Sequence, residues 1–314
     1  MYDNIDFKIR RGDRPDIDFL AEVPNYIDVT GEHLYNGDQV VTGRYKQFEV
    51  TVNHRGVNIK KGSLCKYWLG DNFQTLGRSD VQRAIEKMSD ELHLPVADAT
   101  ISRIDLAQNF IMKHPLEVYY NHLGDLKNAG RAPVGKGNET LYYYLSSGLL
   151  VFYDKVKEQK AKGQQIPELY KDRHVLRYEQ RYTSRLPKTF GVERVTAAML
   201  YTEPFYIDII NRWRDNYRSI KKINDTSINF GAMKGKRDFD LLGRLSLIER
   251  AGGELSFIEQ VNEAYRAGQL ERRQADEIKR AARDACKAKE GITVKNEAIL
   301  ELDKKVNEAV RYYR

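Results

Sequence analysis

Two segments of this chain alternate with a period of two and keep their charge on one side, a pattern that fits strands of a sheet with one apolar and one polar face. In ISRIDLAQNF, from Ile101 to Phe110, the residues Ile104, Leu106 and Phe110 share a face, which leaves Arg103, Asp105, Ala107 and Asn109 together on the other. In LRYEQRY, from Leu176 to Tyr182, the residues Leu176, Tyr178 and Tyr182 oppose Arg177, Glu179 and Arg181. An ordinary solvent-facing strand has the same pattern, so alternation places these side chains without assigning them chemistry.

The rest of the first half reads as strands with inserted helices. Phe48, Val50 and Val52 alternate with Tyr45, Gln47, Glu49 and Thr51, and the turn at Asn53–Gly56 leads into a returning strand at Val57–Lys60. Ser79 and Gln82 form a capping box before a helix with the apolar stripe Val81, Ile85, Met88 and Leu92, and Pro95 ends it. A short helix is expected over His114–Leu123. The glycine-rich, basic stretch 127–138 lacks the spacing and the Lys-Ser or Lys-Thr ending of a phosphate loop, so Lys136 is a candidate for touching a DNA backbone from a loop. Leu141–Leu145 and Leu149–Tyr153 then form a hairpin that delivers Tyr153 to the start of a charged helix.

The chain has 314 residues, enough for one large domain or two modest ones, and 41% of them are hydrophobic. Its formal net charge of +7 suits a polyanionic partner without requiring one. Cys65 and Cys286 show no ligand spacing, which argues against a disulfide framework and a cysteine zinc site. No apolar stretch approaches about 20 residues, and Met1 runs directly into charged residues. The expectation is a soluble, cytoplasmic protein with no membrane partner.

A tyrosine where a strand enters a charged turn, with lysine and carboxylates nearby, is equipped to attack a phosphodiester. The product would be a covalent phosphotyrosine and a free 3′ hydroxyl, which conserves the energy of the broken bond for rejoining. A phenol titrates near 10, so a cation or metal must favour its oxyanion, and hard oxygen ligands suit Mg2+ or Mn2+. Tyr153 is the leading nucleophile and Lys155 the adjacent cation. Asp105, Glu179, Glu49 and Glu158 are candidate metal ligands, with His54 or His174 able to add a nitrogen. Among 20 tyrosines most are packing residues, and Tyr142, Tyr143 and Tyr144 compete with Tyr153 on spacing alone.

Five stretches, in order, carry a resemblance: GSLCKYWLGDN ending at Asn72, SRIDLAQN ending at Asn109, LYYYLSSG ending at Gly148, VFYDKVKE ending at Glu158 and VLRYEQR ending at Arg181. Together they resemble the rolling-circle replication initiators of filamentous phages and related plasmids, over roughly residues 40–185. The resemblance implies site- and strand-specific nicking of a double-stranded origin, a 5′-phosphotyrosine link and later rejoining. It places the nucleophile at Tyr153, in a tyrosine-x-lysine-x-x-glutamate-like segment. Asp105 and Glu179 take the acidic positions of an arginine-x-aspartate and an arginine-x-glutamate strand. It also implies a fold related to nicking enzymes with a histidine-hydrophobic-histidine motif. No segment here offers two histidines one residue apart, so a carboxylate-based metal site is expected instead.

After Arg185 the pattern turns helical, near Val195–Leu200 and Ile207–Arg214, where Arg212 and Arg214 head a basic cluster that could track a DNA backbone. Amphipathic helices follow from Phe239 onward. The expected organisation is α+β: a mostly antiparallel sheet with flanking helices in a catalytic domain of residues 1–235, then a helical module of residues 236–314 that binds DNA or a partner. Origin DNA with a single-stranded or cruciform region, Mg2+ or Mn2+, a host helicase and a second protomer are the expected partners. A non-catalytic DNA-binding regulator and a water-using metal nuclease remain open as alternatives. Arg103, Arg177, Arg181, Lys136, Arg212 and Arg214 are the candidate DNA contacts.

Overall fold

Antiparallel pairing joins ten strands into one sheet in a computed structural model that describes residues 1–135, 139–223, 235–287 and 296–313. The strands are β1 (Tyr2–Arg10), β2 (Asp28–Tyr35), β3 (Asp38–Tyr45), β4 (Phe48–Asn53), β5 (Gly56–Lys60), β6 (Thr100–Met112), β7 (Gly130–Val134), β8 (Thr140–Leu145), β9 (Gly148–Asp154) and β10 (His174–Tyr182). Their order is β2-β3-β4-β5-β1-β6-β10-β9-β8-β7, so the first strand of the chain and the thirteen-residue β6 lie at the centre. Lys136 and most of the stretch in which the domain boundary was placed lie outside the described residues.

The helices are α1 (Phe19–Glu22), α2 (Leu64–Leu69), α3 (Arg78–Leu92), α4 (Leu116–His122), α5 (Lys155–Ala161), α6 (Leu186–Phe190), α7 (Glu203–Ser219), α8 (Lys236–Arg250), α9 (Glu254–Arg266), α10 (Arg272–Lys287) and α11 (Glu297–Tyr312). The apolar face of the sheet is covered by α7. Its Trp213 packs on Tyr178 at 4.7 Å between ring centroids, and Tyr178 stacks on Phe152 at 4.5 Å. All three rings are fully buried, and the Tyr178 hydroxyl donates to the Trp213 carbonyl at 3.0 Å. The α+β class with a large antiparallel sheet, flanking helices and a separate helical module is the architecture expected from the alternation.

Three local readings change. Tyr45 does not share a strand with Phe48: Lys46 takes a left-handed turn (φ 51°) between β3 and β4, which reverses parity and buries Tyr45. The cap of α3 is at Gly77, whose N–H donates to the Asp80 carboxylate at 3.0 Å, in place of a Ser79–Gln82 box. Near Val195–Leu200 the chain makes only a bridge at Thr196 and a short 3-10 turn, and the helix begins at Glu203. Gly148 is required where β9 begins, because a Cβ there would lie 1.8 Å from the Arg181 carbonyl of β10.

The C-terminal helices divide. Leu245 and Ile248 of α8 share a small core with Ala282 and Ala285 of α10, with Phe257 of α9 packed against it. Ile299, Leu302, Val306 and Val310 of α11 instead join the main core, where Asp303 accepts a hydrogen bond from Tyr217 of α7 at 2.7 Å. Trp213→Ala should lower the unfolding free energy by about 3–5 kcal/mol, since it opens a cavity beside two stacked rings. Urea denaturation followed by tyrosine fluorescence measures that loss, and a change below about 1 kcal/mol would contradict this packing.

Candidate active site

Register brings the polar faces of three strands together. On β10, Arg177 lies between Asn109 of β6 and Tyr153 of β9, Glu179 between Ala107 and Val151, and Arg181 between Asp105 and Leu149. Cross-strand partners share a face, and β8 extends it with Thr140 opposite Tyr153 and Tyr142 opposite Val151. Above this surface lies a cleft of about 670 Å³, lined by Asp3, Tyr142, Tyr153, Glu158, Glu179 and Arg181 among others.

The tyrosine is held by the strand-to-helix junction. Asp154 caps α5, accepting from the N–H groups of Val156 at 2.9 Å and Lys157 at 3.0 Å, which fixes the chain one residue beyond Tyr153. Tyr153 is half-buried, and burial raises its phenol well above the ordinary value near 10. The charge on Arg177 opposes that rise, and the carboxylates of Glu179, Asp3 and Glu158 add to it. Lys155 is buried, with Nζ 2.9 Å from the Glu158 carboxylate. Burial and the neighbouring Arg177 bring its amine down to about 8, against the pull of Glu158. Burial alone would raise the Glu158 carboxyl, but hydrogen bonds from Lys162, Lys155 and Gln159 hold it at about 2.

Beneath the cleft is a sealed ionic network. Arg177, 1% exposed, donates Nη1 to the Asn72 carbonyl at 3.0 Å and to Asn109 Oδ1 at 3.2 Å, and Nη2 to Asp3. Asn109 in turn donates to the Asn72 and Phe73 carbonyls at 3.0 and 2.9 Å, and Ser63 donates to the other oxygen of Asp3. Burial works to raise the Asp3 carboxyl, but Arg177 and the Ser63 and Asn72 donors outweigh it and keep it below the ordinary value. Arg103 grips Asp105 by two hydrogen bonds of 2.8 and 2.6 Å, and Asn4 adds a third at 3.0 Å. Burial nevertheless pushes the Asp105 carboxyl up to about 6, helped by the nearby charge of Glu179. Arg181 holds both oxygens of Glu179 at 3.2 and 3.3 Å.

The predicted residues separate accordingly. Tyr153, Lys155, Glu158, Asp105, Glu179, Arg103 and Arg181 lie on or around one face. Glu49 does not join them: it is exposed on β4, three strands from β6, and pairs with Lys61 at 2.9 Å. Arg177 is turned to protein groups and is too buried for a DNA phosphate to reach. Arg212 and Arg214 sit on α7, across the sheet from the cleft, beside Asp208 and Asp215 at 2.7 and 2.8 Å. His54 is in the β4–β5 turn, 3.5 Å from Asp38, and His174 is exposed at the start of β10. Among the described residues no group of three or more histidine, cysteine or acidic side chains is placed to hold a metal ion. Asp105 and Glu179 offer hard oxygen donors, yet each is already gripped through both oxygens by an arginine. A divalent ion fits this pair only if Arg103 and Arg181, each about one-third exposed or less, turn outward.

Asp3, Asn4, Ser63 and Asn72 are the site residues that the strand patterns did not single out. Ile5, Phe7 and Ile9 do alternate, but the register between β1 and β6 shifts between Tyr2 and Ile5. That bulge turns two successive side chains, Asp3 and Asn4, toward the same polar face. Ser63 and Asn72 come from the GSLCKYWLGDN stretch, which the sequence marked only by resemblance. Tyr143 is buried and donates to main-chain carbonyls, and Tyr144 is exposed outside the cleft lining, so of the three competing tyrosines it is Tyr142 that lines the cleft.

Residues 1–202 match the family model Phage_CRI, which describes the N-terminal region of a phage replication-associated protein. The chain belongs to this family. Its matched portion includes every strand of the sheet and all the residues of the cleft, and places the protein among rolling-circle replication initiators. No curated protein matches the chain. No helix among the described residues is long and apolar enough to cross a membrane.

The Arg177–Asp3 pair yields a stability prediction. Arg177→Met leaves a buried carboxylate without its counter-charge and should cost about 3–5 kcal/mol, whereas adding Asp3→Asn should restore much of the loss. A double-mutant cycle from urea denaturation tests this, and additive losses would show the pair to be uncoupled.

Proposed function

We propose that this initiator nicks one strand of its origin DNA through Tyr153 and later rejoins it. The reading is carried by the placement of Tyr153 in a cleft, on the same sheet face as Asp105 and Glu179, in a chain of the replication-initiator family. The Tyr153 phenolic oxygen attacks the scissile phosphorus, the bond to the 3′ oxygen breaks, and the phosphate stays on the tyrosine as a 5′ link. The departing 3′ oxygen takes a proton. Lys155, whose amine burial brings toward neutrality, is the proposed exchange partner for the phenolic proton, and Arg177 favours the phenolate by its charge.

Mg2+ or Mn2+ is the proposed cofactor, held by Asp105 and Glu179 after Arg103 and Arg181 turn toward the DNA backbone. When bound, such an ion polarises the scissile phosphate and offsets the charge that builds up on it. A half-buried tyrosine reaches a phosphate most easily where the strand is unpaired, so the proposed substrate is an origin with a single-stranded or extruded region. The cytoplasm of a bacterial host is the proposed site of action. A host helicase and a second protomer are proposed partners, with α8–α10 available to meet them or flanking DNA.

The test incubates the protein with supercoiled origin plasmid and Mn2+, then resolves the products under denaturing conditions. Wild type should give a protein–DNA adduct, lost on chelation of the metal and absent in Tyr153→Phe. Nicking without an adduct in Tyr153→Phe would favour a water-using nuclease, and specific binding without nicking in wild type would favour a non-catalytic regulator. An adduct persisting in Tyr153→Phe would move the nucleophile to Tyr142.

A further inference from the structure

Two tyrosines stand beside the cleft with no role in the chemistry proposed above. Tyr142 and Tyr144 lie two residues apart on β8, on the face that carries Tyr153, and their rings are nearly parallel, 13° between planes with centroids 5.8 Å apart. Tyr142 lines the cleft and Tyr144 is 52% exposed. Neither hydroxyl explains the pose.

Their surroundings leave the rings accessible. The edge strand β7 pairs Gly130 with Tyr144 and Ala132 with Tyr142, so the flanking positions on that side carry at most a methyl group. On the inner side Leu149 and Val151 form an apolar floor. Beyond Leu149 the same row across the sheet continues to Arg181 and then Asp105, which Arg103 grips. The rings are thus bounded by an apolar floor, and guanidinium groups lie further along the same row. Lys61, Lys66, Lys157 and Lys162 line the cleft beyond.

From this arrangement we propose that Tyr142 and Tyr144 form a stacking ledge for unpaired bases of single-stranded DNA next to the scissile phosphate, with Arg181 and Arg103 tracking the backbone. Base stacking on aromatic faces is sequence-tolerant and works with nearby positive charge, and duplex DNA, whose bases are already stacked on one another, does not offer those faces. The ledge therefore selects unpaired over paired DNA. These are positioning residues; they need no proton transfer. The inference rests on the nickase reading for its place in the reaction, but its binding step does not require Tyr153.

The test separates the two. In a Tyr153→Phe background, binding of a 2-aminopurine-containing single-stranded oligonucleotide is measured by fluorescence quenching, alongside a duplex of the same sequence. Tyr142→Phe/Tyr144→Phe should bind single strands within about twofold of the parent, because the rings remain. Tyr142→Leu/Tyr144→Leu should lose about tenfold or more in single-strand affinity and most of the quenching, with duplex binding and thermal melting unchanged. Equal single-strand binding by the Leu and Phe pairs, or equal loss on duplex and single strands, would overturn the ledge. Absence of a covalent adduct in the wild-type chain would count against the nickase reading alone, because the single-strand binding comparison does not use Tyr153.

Discussion

A guanidinium with almost no access to water organises the centre of this protein. Arg177 of β10 bonds Asp3 of β1, Asn109 of β6 and the Asn72 carbonyl that precedes α3, so one side chain ties together four segments far apart in sequence. Burying such a charge is costly unless its partners are close and well aligned. The side-chain acceptors recruited for that purpose, Asp3 and Asn109, stand on the polar face of the sheet, and that need fixes where β1, β6 and β10 sit along one another. Tyr153, opposite Arg177 in register, takes its position from the same constraint.

The two faces of the sheet consequently carry different kinds of interaction. On one, stacked rings from Phe152, Tyr178 and Trp213 bury a large apolar area under α7, which stabilises the sheet through packing. On the other, Asp105 and Glu179 stand close enough for the charge of one to raise the carboxyl of the other, and each is clamped by its own arginine. Strand alternation is what permits adjacent residues such as Tyr178 and Glu179 to serve these opposite environments.

Much of this was legible in the chain. The alternation in Ile101–Phe110 placed Asp105 on the polar face of one strand and that in Leu176–Tyr182 placed Arg177, Glu179 and Arg181 on the polar face of another, and the hairpin ending at Tyr153 followed from turn and strand signals; that the two faces are one came only with the register. What alternation could not convey is depth: Arg177 and Arg181 read alike in sequence, yet one is sealed in and the other faces the cleft. Nor could it convey a bulge. Asp3 and Asn4 break the period of β1 by being neighbours on one face, so the irregularity that brings them to the site also hides them from a period-two reading. Glu49 was placed with the acidic residues because its strand alternates well, but β5 and β1 lie between that strand and β6, and strand order is not written in any single segment.

The end of the chain obeys the same division of faces. Its last helix, α11, supplies apolar residues to the main core and meets α7 through the Tyr217–Asp303 hydrogen bond. Since α7 packs against the apolar side, its Arg212 and Arg214 are held away from the cleft, each beside a carboxylate. The cationic groups near Tyr153 therefore come from the sheet itself, its connecting segments and α5, and not from the longer helices, although those helices are just as basic in places. Charge composition alone would have pooled these residues into one DNA-binding surface; sheet parity separates them, leaving Arg103 and Arg181 as the partly exposed guanidiniums paired with the Asp105 and Glu179 carboxylates.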